Sequence, residues 1–174
     1  FVGKNAAEVQ ESARGIDRSP VHGEREVKSI SNEVTFGQDT CDGQQLLGTL
    51  RQRADKVGYR MRQARLMGGV VQIKLRYADF TTLTRQRALP TPTNLDDEIY
   101  AAVEKLFLDN LTPERNVRLV GVGVSQLSQP FQQLELWDDS RGQAEQLALA
   151  IDALKEKYGK NIITRGSQMK SRPQ

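Results

Sequence analysis

Between residues 44 and 77 the spacing of apolar side chains changes period, and this limits the fold more than any other feature. Leu47, Leu50, Ala54, Val57, Met61 and Ala64 recur at intervals of three and four, so they line one side of a long helix that is expected to end at Gly68-Gly69. Val71, Ile73, Leu75 and Tyr77 then alternate with Gln72, Lys74, Arg76 and Ala78. That is a strand with an apolar face to bury and a cationic face left open.

The flanking segments extend the pattern. Glu26 to Phe36 is rich in β-branched residues, with Ile30, Val34 and Phe36 on one parity and Ser29, Ser31, Glu33 and Thr35 on the other. Thr82 to Leu89 reads as a strand of poorer alternation, because Leu83 shares parity with Arg85 and Arg87; either a bulge intervenes or the arginines only partly leave the core. Pro90-Thr-Pro92 closes that strand pair. Asn94 is placed to cap a helix whose first turn holds Asp96, Asp97 and Glu98, with Ile99, Val103, Leu106 and Asn110 marking its face. Val117 to Ser125 is an apolar strand containing Gly121 and Gly123. The order β-α-β-β-α-β predicts an α+β, ferredoxin-like domain: a four-stranded antiparallel sheet, two helices on one face, the other face free for a ligand.

Outside this unit, Asn5 to Ala13 has helical character, and the Gly/Pro-containing stretch Gly15 to Gly23 is linker chemistry. Gln126 to Asp139 lacks helical periodicity. Ser140 and Gln143 form a capping-box signature ahead of a helix marked by Leu147, Ile151, Leu154 and Tyr158 and ended by Gly159; the basic tail from Ser167 is expected to fray.

Charge adds a direction. The net charge is only +3, but residues 51–91 hold ten Lys and Arg against Asp55 and Asp79, a local +8. Such a block is the footprint of a polyanion-binding surface, although Arg51 to Arg65 reads more simply as a solvated cationic helix. One cysteine, Cys41, excludes an internal disulfide and a thiolate cluster, which points to a reducing compartment, the cytosol. No apolar run is long enough to span a bilayer, and a chain beginning at Phe1 without a signal segment reads as a fragment.

The search for catalytic groups returns little. Asp96-Asp97-Glu98 sits where a helix N-terminus favours negative charge, and consecutive helical residues point apart rather than toward one metal. His22, the sole histidine, lies in the linker, so no triad or histidine-ligated metal site is available. Cys41 has no base near it in sequence and reads as structural or exposed. Gly43 and Gly48 have Walker spacing, but Thr49 stands where the lysine is required. Gly121-Val-Gly123 either packs or admits a close-approaching backbone or phosphate.

Two features remain. The first is the expected polar side of the sheet, Lys28, Ser29, Ser31, Lys74, Arg76, Thr84, Arg85 and Arg118, whose hydroxyls and cations hold phosphate oxygens without reading bases. Sheet aromatics of the kind that stack single-stranded RNA are sparse, since Tyr77 has core parity and Phe80 lies at a strand end. The second is Gln133-Leu-Glu-Leu-Trp137, either an anchor peptide for an apolar cleft on a partner or an edge strand folded back on its own domain.

Lys28-Ser-Ile-Ser-Asn-Glu-Val-Thr-Phe36, Lys74-Leu-Arg-Tyr-Ala-Asp-Phe-Thr-Thr-Leu-Thr-Arg85 and Val117-Arg-Leu-Val-Gly-Val122, in that order, resemble the little-finger domain of Y-family DNA polymerases of the bacterial polymerase IV type. The resemblance implies residues 1–17 as the end of a thumb, 18–25 as a tether, 26–127 as the DNA-gripping domain and 128–174 as a partner peptide with its closing helix and tail. It implies primer–template duplex DNA as partner, with phosphate contacts from Lys28, Ser29, Ser31, Thr84, Arg85 and Arg118. Leu119 and Gly123 stand where some relatives carry cations. The parent's chemistry would be magnesium-dependent nucleotidyl transfer by an absent palm, leaving this fragment without catalytic residues, metal or cofactor of its own. Gln133, Leu134, Leu136 and Trp137 resemble a sliding-clamp-binding peptide of Q-L-x-L-F type, with Trp137 in place of phenylalanine. The competing reading is a ferredoxin-like RNA-binding module unconnected with a polymerase.

Overall fold

The computed structural model describes residues 6–17, 20, 26–130, 140–159, 162, 163 and 166. Its elements run α1 (Ala6–Ala13), β1 (Ser29–Thr40), α2 (Gly43–Gln63), β2 (Met67–Tyr77), β3 (Thr82–Thr93), α3 (Asp96–Asn110), β4 (Val117–Ser128) and α4 (Ser140–Tyr158). The expected tether at 18–25, apart from Pro20, and the expected partner peptide Gln133, Leu134, Leu136 and Trp137 lie outside the described residues.

Local chemistry fixes the ends of α2. Asp42 is its N-cap, its carboxylate accepting from the amides of Gln44 (2.9 Å) and Gln45 (3.2 Å). The helix stops before the Gly68-Gly69 pair expected to end it. Arg65 takes the left-handed conformation at φ 53°, and the amides of Arg65 and Leu66 bond back to the carbonyls of Arg62 and Met61. This is a Schellman closure with arginine in the position glycine usually takes. Gly68 instead lies inside β2, where a Cβ would sit 2.2 Å from Val124 Cγ1. The buried stripe of α2 is Leu46, Leu50, Ala54, Val57, Gly58 and Met61, so Leu46 takes the core position expected for Leu47, which is only partly buried.

Strand order, which element order does not reveal, is β1-β4-β2-β3 with every pair antiparallel. Each βαβ unit is split by a strand of the other: β4 lies between β1 and β2, and β2 between β4 and β3. Residues directly opposite one another share a face, so the register defines rows across all four strands. Ile30–Val124–Val71 and Val34–Val120–Leu75 face α2 and α3. There they meet Leu46, Leu50, Val57 and Met61 from α2 and Ile99, Val103 and Phe107 from α3 in one buried cluster. The expected four-stranded antiparallel α+β layering stands, but the central strands are β4 and β2, whereas the ferredoxin-like order expected from the β-α-β-β-α-β succession has its first and third strands central.

β3 runs past the expected stop at Pro90 to Thr93. Between its pairings with Val70 and Gly68 the register slips, and the two prolines fall in the slipped stretch. Proline is tolerated there because β3 is an edge strand whose missing amide breaks no ladder. α3 likewise begins without the expected cap: Leu95 is the N-cap residue, its amide held by Thr93 Oγ1 at 3.0 Å, and Asn94 turns its amide toward the Leu66 carbonyl.

The arginines of α2 are mostly joined to the domain rather than to solvent. Arg53 bonds Asn32 Oδ1 (3.1 Å) and Arg60 the Ser31 carbonyl (2.8 Å), both on β1. Arg51 pairs with Asp55 and Asp97 and lies over the Tyr100 ring. The Arg62 side chain is only 5% accessible and donates to Asp96 Oδ1 (2.8 Å), the Asn94 carbonyl (2.7 Å) and Asp152 Oδ2 (2.7 Å). Burial works against its charge, but the two carboxylates outweigh that and hold it above the usual guanidinium value, whereas burial pushes the Asp96 carboxyl up. Arg51, Arg53 and Arg62 thus depart from the solvated-face reading, whereas Lys56, Arg60 and Arg65 are exposed as it expects.

α4 joins the domain through this cluster. Among its described residues Asp152 is the buried one, while Leu147, Leu154 and Tyr158, expected to form an apolar face, stay exposed. Glu156 accepts from Tyr59 and Gln63, and Arg141 donates to the Pro92 carbonyl at 2.8 Å. Gly159, with φ +97°, ends the helix as expected. Among the described residues no helix is long and apolar enough to cross a membrane.

Candidate nucleic-acid interface

The side of the sheet away from the helices carries the candidate site. Its rows are Ser29–Ser125–Val70–Ala88, Ser31–Gly123–Gln72–Gln86, Glu33–Gly121–Lys74–Thr84 and Thr35–Leu119–Arg76–Thr82. Ser29, Ser31, Lys74, Arg76 and Thr84 therefore share one face, as expected from alternation. Lys28 is exposed just ahead of β1. These rows contain hydroxyls, amides, two cations and one carboxylate, and none of their residues is aromatic.

Arg85 is not on that face. It pairs with Ile73 and Arg87 with Val71, both on the helix side, so the expectation that Lys74, Arg76 and Arg85 point together is corrected. Pairing is continuous from Thr82 to Ala88, so a bulge does not explain the poor alternation of this strand. Because β3 is the outer strand, these arginines clear the core at its margin. Arg85 reaches the end of α3, where Nε donates to Asn110 Oδ1 at 3.1 Å.

Arg118 occupies a register irregularity between the Tyr77–Val117 and Arg76–Leu119 pairs. Its guanidinium lies 3.7 Å from Asp39 Oδ1 and 5.1 Å from the centre of the exposed Phe80 ring. Lys74 Nζ is 3.0 and 3.1 Å from the carboxylate oxygens of Glu33, while Arg76 Nε donates to Thr82 Oγ1 at 3.0 Å. Ser29, Ser31, Glu33, Gln72, Lys74 and Ser125 surround a shallow groove of about 110 Å3 floored by Gly121 and Gly123. Glu33 and Asp39 were not among the residues singled out from sequence; cross-strand partners depend on a register that no spacing along one strand reveals.

The carboxylates of the α3 N-terminus are engaged from α2, Asp96 by Arg62 and Asp97 by Arg51. Among the described residues no cluster of His, Cys, Asp and Glu is arranged to hold a metal, and Cys41 is exposed as a free thiol.

Helices behind, a polar face in front and cations around its rim define an α+β sheet-platform domain with one open face. A model of the impB/mucB/samB family C-terminal domain matches residues 27–136, and the chain belongs to that family. Its relatives include DNA polymerase IV of Dehalococcoides mccartyi, 39% identical over 170 residues, which covers 97% of this chain and 43% of that protein. DNA polymerase IV 1 of Bacillus subtilis is 31% identical over 175 residues, covering 98% of this chain and 42% of the relative. The chain thus spans less than half the length of these relatives. The three ordered motifs thus resemble DNA polymerase IV as the relatives do. Among solved structures, a complex of a beta-clamp processivity factor with the little finger domain of PolIV is 23% identical, with a TM-score of 0.49 over 63% of this chain and 99% of that one.

Proposed function

We propose that the open face holds the sugar–phosphate backbone of primer–template duplex DNA, as the little-finger part of a translesion polymerase of the DNA polymerase IV type. The observation that carries the reading is the composition of that face: Ser29, Ser31, Thr84, Lys74 and Arg76 on three strands, without an aromatic for base stacking. Hydroxyls and cations position a duplex by its phosphates and read little sequence. Lys28 and Arg118 extend the contact at the rim, while Arg85, held on the helix side of β3 by Asn110, takes no part in it. Magnesium-dependent nucleotidyl transfer belongs to the part of the parent that this chain does not span, so the chain itself binds and does not polymerise. Gln133, Leu134, Leu136 and Trp137 dock on a sliding clamp, and residues 1–17 and 18–25 are the end of a thumb and its tether.

The test is fluorescence anisotropy of a labelled primer–template duplex titrated with the chain. Affinity falls by orders of magnitude between ~50 and ~200 mM salt if several phosphates are neutralised, with little change between sequences. Salt-independent binding, or preference for single-stranded RNA over duplex, overturns the reading. Replacing Gln133, Leu136 and Trp137 by alanine removes clamp binding and leaves duplex affinity intact; unfolding would instead assign those residues to internal packing.

A further inference from the structure

One row of the open face departs from the rest. In Glu33–Gly121–Lys74–Thr84 the Glu33 side chain leaves the edge strand β1, crosses β4 and meets Lys74 on β2. It passes directly over Gly121: a Cβ there would lie 2.7 Å from Glu33 Cγ, too close to coexist with it. The second glycine is different, since a Cβ at Gly123 would meet Ser31 Cβ at an ordinary 3.4 Å. Gly121 is thus the position whose bare backbone lets a carboxylate reach a lysine two strands away.

The consequence is electrostatic. Lys74 is the cation at the middle of the groove, and both of its close contacts to Glu33 are carboxylate oxygens. A phosphate arriving over the glycine floor must take the ammonium from Glu33 and then sit beside the displaced negative charge. The pair is partly exposed, with 28% of the Lys74 side chain and 39% of the Glu33 side chain accessible, and exposed pairs are held weakly. A polyanion is able to open it.

We propose that Glu33 is an internal counter-anion that neutralises Lys74 in the free protein and lowers the affinity of the open face for backbone phosphate, with Gly121 present to admit it. The inference rests on the duplex-binding reading. Its role is to keep the grip loose at the centre of the face while the flanking hydroxyls and rim cations supply the contact. Binding at this row exchanges one anion for another, so Lys74 contributes little to counterion release while Glu33 is present.

The experiment titrates labelled primer–template duplex against wild type, E33Q, G121A and E33Q/K74Q over a salt series, with thermal melts to verify folding. Freeing one lysine steepens the slope of log affinity against log salt by about 0.9. Removing a carboxylate from beside a bound phosphate strengthens low-salt binding roughly three- to tenfold. E33Q is expected to show both effects. G121A is expected to move the same way, because its methyl group dislodges Glu33, and E33Q/K74Q is expected to lose the gain. Equal affinity and slope for wild type and E33Q, or weaker binding by E33Q, overturns the proposal while leaving duplex binding in place. If neither protein binds duplex, the duplex reading fails and the counter-anion role fails with it.

Discussion

Two glycines of α2 should respond to alanine with opposite signs. Gly48 and Gly58 both lie within the helix, where alanine is favoured over glycine by about 1 kcal/mol. A Cβ at Gly48 would meet nothing within 4 Å, so Gly48→Ala gains up to ~1 kcal/mol. At Gly58 the same methyl would sit 2.1 Å from Asp96 Oδ1 and 3.1 Å from both Arg62 Nη1 and the Asn94 carbonyl. Asp96 must move, and its 2.8 Å contact with Arg62 goes with it. Arg62 keeps Asp152, so the loss is that of one charge-assisted hydrogen bond, about 1.5–3 kcal/mol, and the helix-propensity gain leaves a net loss of about 0.5–2 kcal/mol. Urea denaturation followed by far-ultraviolet circular dichroism reads both variants directly, and in a chain of this size the Gly58→Ala loss corresponds to a melting temperature lower by roughly 1–8 °C. If Gly58→Ala proves as stable as Gly48→Ala, the Arg62 cluster is not a close-packed junction.

Leu46→Ala should lose about 2–5 kcal/mol by leaving a cavity under the sheet, and Leu47→Ala less than about half as much; equal losses in denaturant would place the helix face wrongly. The Tyr100 hydroxyl is pushed up to about 12, first by burial and then by its 3.1 Å hydrogen bond to Glu104. Its folded value lies above the unfolded one near ~10, so its contribution to stability is intact below ~pH 10 and is lost as pH rises through about 12. Phenolate absorbance of wild type minus Y100F should show that late titration; a midpoint near ~10 would contradict it.

Much of the fold was legible because most strands and helices here obey one period. The alternation from Val71 to Tyr77 places Lys74 and Arg76 opposite the core, and the register agrees. Where reading failed, information from another element was needed. Arg85 follows core parity yet stays outside because β3 is a margin, and nothing in its own segment says which strands are outermost. Leu46 and Leu47 are both helical leucines, and the direction of the sheet chooses between them. Arg62 is one of several arginines along α2, and only the arrival of α3 and α4 singles out its side chain for burial. Glu33 and Lys74, far apart in the chain, become partners through strand order.

The two margins of the sheet carry different obstacles to a further strand. On β3, Pro90 and Pro92 lack the hydrogen that an incoming strand would bind, and Arg85 and Arg87 bring like charge along the same border. On β1, the guanidinium of Arg60 already occupies the Ser31 carbonyl. Such borders oppose the edge-to-edge stacking by which exposed sheets seed fibrils. A sheet whose margins carry such obstacles is biased to meet its surroundings through its surface instead of lengthening.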